Sequence, residues 1–133
     1  MKNLKIYSLV FGVGFLLLLP LFSFTNQNFK SMENSEKLGL FVIVNAKPEK
    51  ANDVKQFLLG GLALANKEAE TRSWYAFQIN ETTFGIFDTF ENEDGRDAHL
   101  NGEIAKALLQ NADDLLVDFQ VSDINKLDLL AVK

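Results

Sequence analysis

The chain has 133 residues, 47% of them hydrophobic, with 13 basic and 18 acidic side chains, one histidine and no cysteine. That length allows one domain, and the acidic balance excludes a nucleic-acid binder, which needs a basic footprint. The missing cysteine excludes a disulfide staple and a lipid-modified cysteine at the N-terminus.

The opening residues Met1-Lys2-Asn3-Leu4-Lys5 are basic, and Ile6 to Phe24 carry no charge. A basic start, an apolar stretch and the polar exit Thr25-Asn26-Gln27 form the pattern of a secretory signal, with Ser23 and Thr25 small enough for cleavage after Thr25. The stretch also approaches the roughly 20 apolar residues that cross a bilayer, so an uncleaved membrane anchor is the second reading. A buried globular helix is the third, disfavoured by Gly12, Gly14 and Pro20. With Lys2 and Lys5 held inside, both leading readings export the remainder, as a periplasmic or secreted domain or one anchored facing outward. Membrane contact is then confined to this segment, residues 1–25. Residues 26–36 are polar and aperiodic, a linker, and the domain spans residues 37–133. Losing Lys2 and Lys5 with the leader takes the 13 basic residues to 11 against 18 acidic ones, a net of −7, which also argues against docking on anionic lipid. A cysteine-free domain of about 100 residues must be held by apolar burial, aided by self-association.

Leu38 to Val44 (LGLFVIV) reads as a buried strand, closed by the turn Asn45-Ala46-Lys47-Pro48. From Pro48, which suits a first helical turn, apolar residues recur at steps of three and four: Ala51, Val54, Phe57, Leu58, Gly61, Leu62 and Ala65. Gly60-Gly61 weakens that helix by about 1 kcal/mol per residue relative to alanine, and a close approach of helix to sheet explains the pair. Arg72 to Ile79 and Thr82 to Phe90 are strands meeting at Asn80-Glu81. A two-residue turn there sets Phe77 opposite Phe84, Tyr75 opposite Ile86 and Ser73 opposite Asp88. In that register Tyr75, Phe77 and Ile79 face the helices. Trp74, Ala76 and Gln78 share a mixed second face with Phe87, Gly85 and Thr83, suited to a partner subunit. A second helical region covers Asn92 to Leu116, broken near Asn101-Gly102, and a last strand runs from Asp123 to Val132. The order β-α-β-β-α-β predicts an α+β, ferredoxin-like fold: a four-stranded antiparallel sheet with helices on one face.

The hairpin Trp74-Tyr75-Ala76-Phe77, the strand Phe84-Gly85-Ile86-Phe87-Asp88, then Phe90, Gly95-Arg96, Ala98-His99-Leu100-Asn101-Gly102 and the closing Leu127-Asp128-Leu129-Leu130-Ala131 resemble the antibiotic biosynthesis monooxygenase-like proteins. The resemblance covers roughly Leu38 to Lys133 and implies a dimeric α+β barrel in which two sheets pack together, making a second copy of the chain the expected partner. It also implies a choice of activities: cofactor-free oxygenation of phenolic or quinol substrates, haem degradation, or none. The haem-degrading branch uses an Asn–Trp–His set. Here Phe90 stands where the tryptophan would be, Ala107-Leu108-Leu109 where the histidine would be, and Asn45 is two residues out of place. A haem site without an axial ligand is hard to build, so no cofactor is expected.

For a cofactor-free oxygenase of a small aromatic or quinol-type molecule, the protein must supply a base, a dry pocket and donors for an anion. His99 is the candidate base, its ordinary pKa lying near working pH, with Asp88 to orient the ring. Tyr75 or Arg96 could bind an anionic oxygen, and Trp74 could stack on a flat substrate if it turns toward the cavity. Phe90 belongs with Phe77, Phe84 and Phe87 to an aromatic set that is core or pocket wall. The plain structural readings stand beside these. His99, late in a short helix, can bond terminal carbonyls, and Asp88 can pair with Arg96 or His99 to pin helix to sheet. One histidine among scattered acids is no metal site by spacing. The competing function is a catalytically silent dimeric domain, binding small molecules or serving in stress, on the same scaffold.

Overall fold

A computed structural model describes residues 36–133; the expected signal or anchor and nearly all of the expected linker lie outside the described residues. The elements follow the predicted order: β1 (Leu38–Asn45), a single 3-10 turn (Pro48–Lys50), α1 (Ala51–Ala65), β2 (Thr71–Gln78), β3 (Thr83–Phe90), α2 (Glu93–Leu100), α3 (Glu103–Leu115), a second 3-10 turn (Val121–Asp123) and β4 (Asn125–Asp128). The strands form one sheet in the order β2-β3-β1-β4, every pairing antiparallel. This is the ferredoxin-like α+β arrangement. The last strand is shorter than expected, ending at Asp128 instead of Val132.

Strand alternation and the helical stripes meet in one core. Val42 and Val44 of β1, Phe84 and Ile86 of β3, Val54 and Leu58 of α1, and Ala112 and Leu115 of α3 are all buried together. In α1 the buried positions Val54, Leu58, Gly61 and Ala65 follow the helical repeat. A Cβ on Gly61 would lie 3.3 Å from the Trp74 ring, so the close approach expected of the glycine pair belongs to Gly61, while Gly60 has nothing within 4 Å.

The hairpin departs from the expected register. Asn80 Oδ1 accepts hydrogen bonds from the backbone N–H groups of Thr82 (3.0 Å) and Thr83 (2.9 Å), and the Ile79 N–H donates to the Thr83 carbonyl. The asparagine side chain thus stabilises a turn one residue longer than the two-residue form. Tyr75 consequently lies opposite Phe87, Trp74 opposite Asp88, and Phe77 opposite Gly85. A shift of one residue moves every side chain of the strand to the other face. Trp74 therefore faces the helices, and Tyr75 and Phe77 face outward, 57% and 39% exposed. A bulge between Thr71 and Ser73 absorbs the extra residue. It leaves Thr71, paired with Phe90, on the helix side together with Trp74.

Candidate functional site

The helix-side face of β3 ends in Ile86, Asp88 and Phe90. Burying a carboxylate there is costly unless it is paired, and Asp88 is only 3% exposed. Its partner comes from α2. Asn92 caps that helix by accepting from the Gly95 N–H at 3.0 Å, and Glu93 and Asp94 occupy the first turn, where acids suit the helix dipole. Two turns later His99 is directed at the sheet and lies 7% exposed. His99 Nε2 is 3.1 Å from Asp88 Oδ2. The opposite ring nitrogen, Nδ1, is 2.6 Å from Glu68 Oε2, in the connection between α1 and β2. The Thr71 hydroxyl donates to that same Glu68 oxygen at 2.9 Å, and the Phe90 ring packs tilted against the imidazole with centroids 5.3 Å apart.

His99 thus lies between two carboxylates and does not bond terminal carbonyls. Burial works to lower its pKa, but the hydrogen bonds and charges of Asp88 and Glu68 outweigh burial and hold it above its ordinary 6.5. Burial pushes the Asp88 carboxyl above its usual 3.8, partly offset by His99. The two carboxylates occupy opposite sides of a ring and do not converge on a point. Among the described residues, no three histidine, cysteine or acidic side chains are arranged to hold a metal ion.

Asp88 and His99 are the polar groups of an otherwise apolar cavity of about 40 Å³, lined also by Trp74, Ile86, Leu100 and Ile104. By that measure a single water needs about 10–15 Å³, so the space as it stands suits water rather than an aromatic ring. The Asp88 Oδ1 atom is buried and has no hydrogen-bond partner among the described residues.

The other expected site residues are distributed differently. Arg96, 4% exposed, does not meet Asp88: it pairs with Glu93 and donates to the Leu127 carbonyl at 3.2 Å and the Gly39 carbonyl at 3.4 Å. Its job is to tie α2 to β1 and β4. Tyr75, expected on the same face as Asp88, lies on the opposite face, stacked on Phe87 at 6.4 Å, because of the longer turn. Trp74 takes the cavity position in its place. Phe90 is fully buried and supports the imidazole without lining the cavity. Nothing in the sequence marks Glu68 as a site residue. It lies in a turn without periodicity, 31 residues from His99, and no local pattern connects the two.

No family model matches the sequence, and no curated protein matches it. Solved structures do. A protein of unknown function from Nitrosomonas europaea is 46% identical, with a TM-score of 0.71 over 74% of this chain and 94% of that one. A candidate antibiotic biosynthesis monooxygenase from Caulobacter crescentus shares the fold at 16% identity, with a TM-score of 0.61 over 72% of this chain and 92% of that one. A Bacteroides thetaiotaomicron protein described as a possible oxidoreductase does so at 15% identity, with a TM-score of 0.60 over 71% and 99%.

Proposed function

We propose that the chain, which has the fold of solved candidate antibiotic biosynthesis monooxygenases, belongs with them and is an exported, cofactor-free monooxygenase of a small phenolic or quinol-type aromatic molecule. The observation that carries the reading is the unpartnered, buried Oδ1 of Asp88, backed by His99 in an apolar cavity. Such an atom offers a hydrogen-bond acceptor, and then a base, to a substrate hydroxyl in a setting where water is scarce. The resulting phenolate adds O2 at a ring carbon, and loss of water from the hydroperoxide leaves a quinone. One oxygen atom stays in the product, the other leaves as water, and the substrate supplies all four electrons. A ring needs more room than the cavity gives, so the half-buried Phe57, Leu108 and Ile124 in its wall must yield on binding.

Oxygen uptake by the purified protein with a panel of phenols and hydroquinones tests this. Asp88→Asn is expected to lower the rate at least about 100-fold, the usual contribution of a general base, with the fold kept. Equal uptake by both proteins would remove Asp88 from the chemistry. No uptake by the wild type would favour the second reading, a silent dimeric domain, to which the small size of the cavity points.

Export rests on the basic-then-apolar first 25 residues, whether cleaved or kept as an anchor. The partner is a second copy. Tyr75, Phe77, Phe41, Ile43 and Phe87 form an apolar outer sheet face with no helix over it among the described residues, and two such faces together would bury it. The domain is expected to sediment as a dimer at micromolar concentration, and Phe77→Asp as a monomer. A wild-type monomer under those conditions would refute the pairing.

A further inference from the structure

We infer that Glu68 is the third member of the site: it keeps the His99 ring doubly protonated, so the atom that accepts a proton from a bound hydroxyl compound is Asp88 Oδ1 and not a nitrogen of His99. The inference rests on the reading of this cavity as the binding site. Its geometric basis is independent of the reaction.

An ionised carboxylate only accepts hydrogen bonds. Glu68 Oε2 faces Nδ1 at 2.6 Å, and Asp88 Oδ2 faces Nε2 at 3.1 Å. Satisfying both requires N–H on both nitrogens, and an imidazolium has no lone pair with which to take a third proton. Glu68 is held for this role from several sides. Its backbone N–H donates to the Ala65 carbonyl, its carbonyl accepts from the Thr71 N–H, and the Thr71 hydroxyl fixes the oxygen that meets the ring. Its other oxygen, Oε1, lies against Gly102, where a Cβ would collide with it. That atom is itself buried without a hydrogen-bond partner among the described residues, so the contacts above are what hold the carboxylate in place.

Among the described residues, Asp88 and Glu68 are the charges that act on the ring. From β2 the nearest polar group is the uncharged Thr71 hydroxyl, 3.4 Å from Nδ1. On α2 itself Arg96 is engaged by Glu93 and two carbonyls. The cavity walls contributed by α3 and Ile124 are apolar. Two carboxylates and one imidazolium carry a net charge of −1. When the O–H bond of a ligand breaks and an Oδ1–H bond forms on Asp88, the triad becomes neutral and the ligand takes the negative charge, so proton and charge balance. His99 then acts as a positioning residue, a fixed donor to Asp88, and Glu68 as the residue that keeps it so.

The single histidine of the chain makes the test direct. Nitrogen-15 spectra of the ring are expected to show both nitrogens protonated at pH 7 in the wild type without ligand. Glu68→Gln removes the anion at Nδ1 and is expected to lower the ring's titration midpoint by about one pH unit, a tenfold loss of proton affinity. A neutral wild-type ring at pH 7, or an unchanged midpoint in Glu68→Gln, would overturn the assignment. Should the variant fail to fold, the wild-type spectrum decides alone. Neither measurement involves oxygen or substrate. A protein that oxidises nothing would therefore sink the oxygenase reading while leaving the protonation of this triad to be judged separately.

Discussion

His99→Ala is expected to lower the unfolding free energy by about 3–5 kcal/mol at pH 6, the cost of removing one partner from a buried ion pair. The loss is large because two carboxylates depend on one ring. Without it Asp88, 3% exposed, keeps no partner on either oxygen, and Glu68 retains only Thr71. The pH dependence gives the sign of the effect. A histidine whose folded pKa is raised above 6.5 contributes stability that is complete below that value and is lost as the pH climbs through the folded value. Asp88, also raised, from 3.8, acts in the same direction at lower pH: its help is present below the unfolded value and lost as it ionises. Wild-type stability should therefore decline from pH 6 toward alkaline pH, and His99→Ala should show a shallower decline over that window. Urea unfolding at several pH values measures both. A histidine-independent slope would mean that the ring is not the charged hub of these contacts.

Phe90→Ala is expected to cost a further large amount, about 3–5 kcal/mol, the range for deleting a buried phenylalanine side chain. Phe90 is fully buried and lies at the end of β3, where its backbone also anchors the start of the described chain through the Lys37 N–H. Its ring packs on His99, so the cavity left behind would lie beside the imidazole. Phe90→Leu keeps most of the volume and should cost less than about 1.5 kcal/mol. A midpoint of thermal or urea unfolding for Phe90→Ala close to that of the wild type would show that the site collapses around the gap.

The fold was legible because each element carries its own period. The branched run at Leu38 to Val44, the stripe from Ala51 to Ala65 and the cap at Asn92 are local signals, and each leads to the element found. The register of β2 against β3 was not legible. It depends on the Asn80 side chain accepting two backbone N–H groups, and Asn80-Glu81 reads as readily as a two-residue turn. Asp88 and His99 could be recognised as a pair because only one histidine exists and the strand-to-helix turn brings the two together. Glu68 could not, since only tertiary folding carries the α1–β2 connection to α2. Arg96 offered the same charge logic as His99 toward Asp88, and only packing decides that its fork reaches the carbonyls of Gly39 and Leu127.

The asparagine-stabilised turn between β2 and β3 also bears on how related chains should be compared. Trp74 and Tyr75 are adjacent, and which of them lines the cavity follows from the length of a loop more than 10 Å away by strand rise, at about 3.4 Å per residue. A relative with one residue fewer at Asn80 would present its aromatic residues in the opposite sense even if both were retained. Aligning such chains by matching tryptophan to tryptophan would then assign cavity residues to the outer face. Loop length has to be compared before aromatic identity.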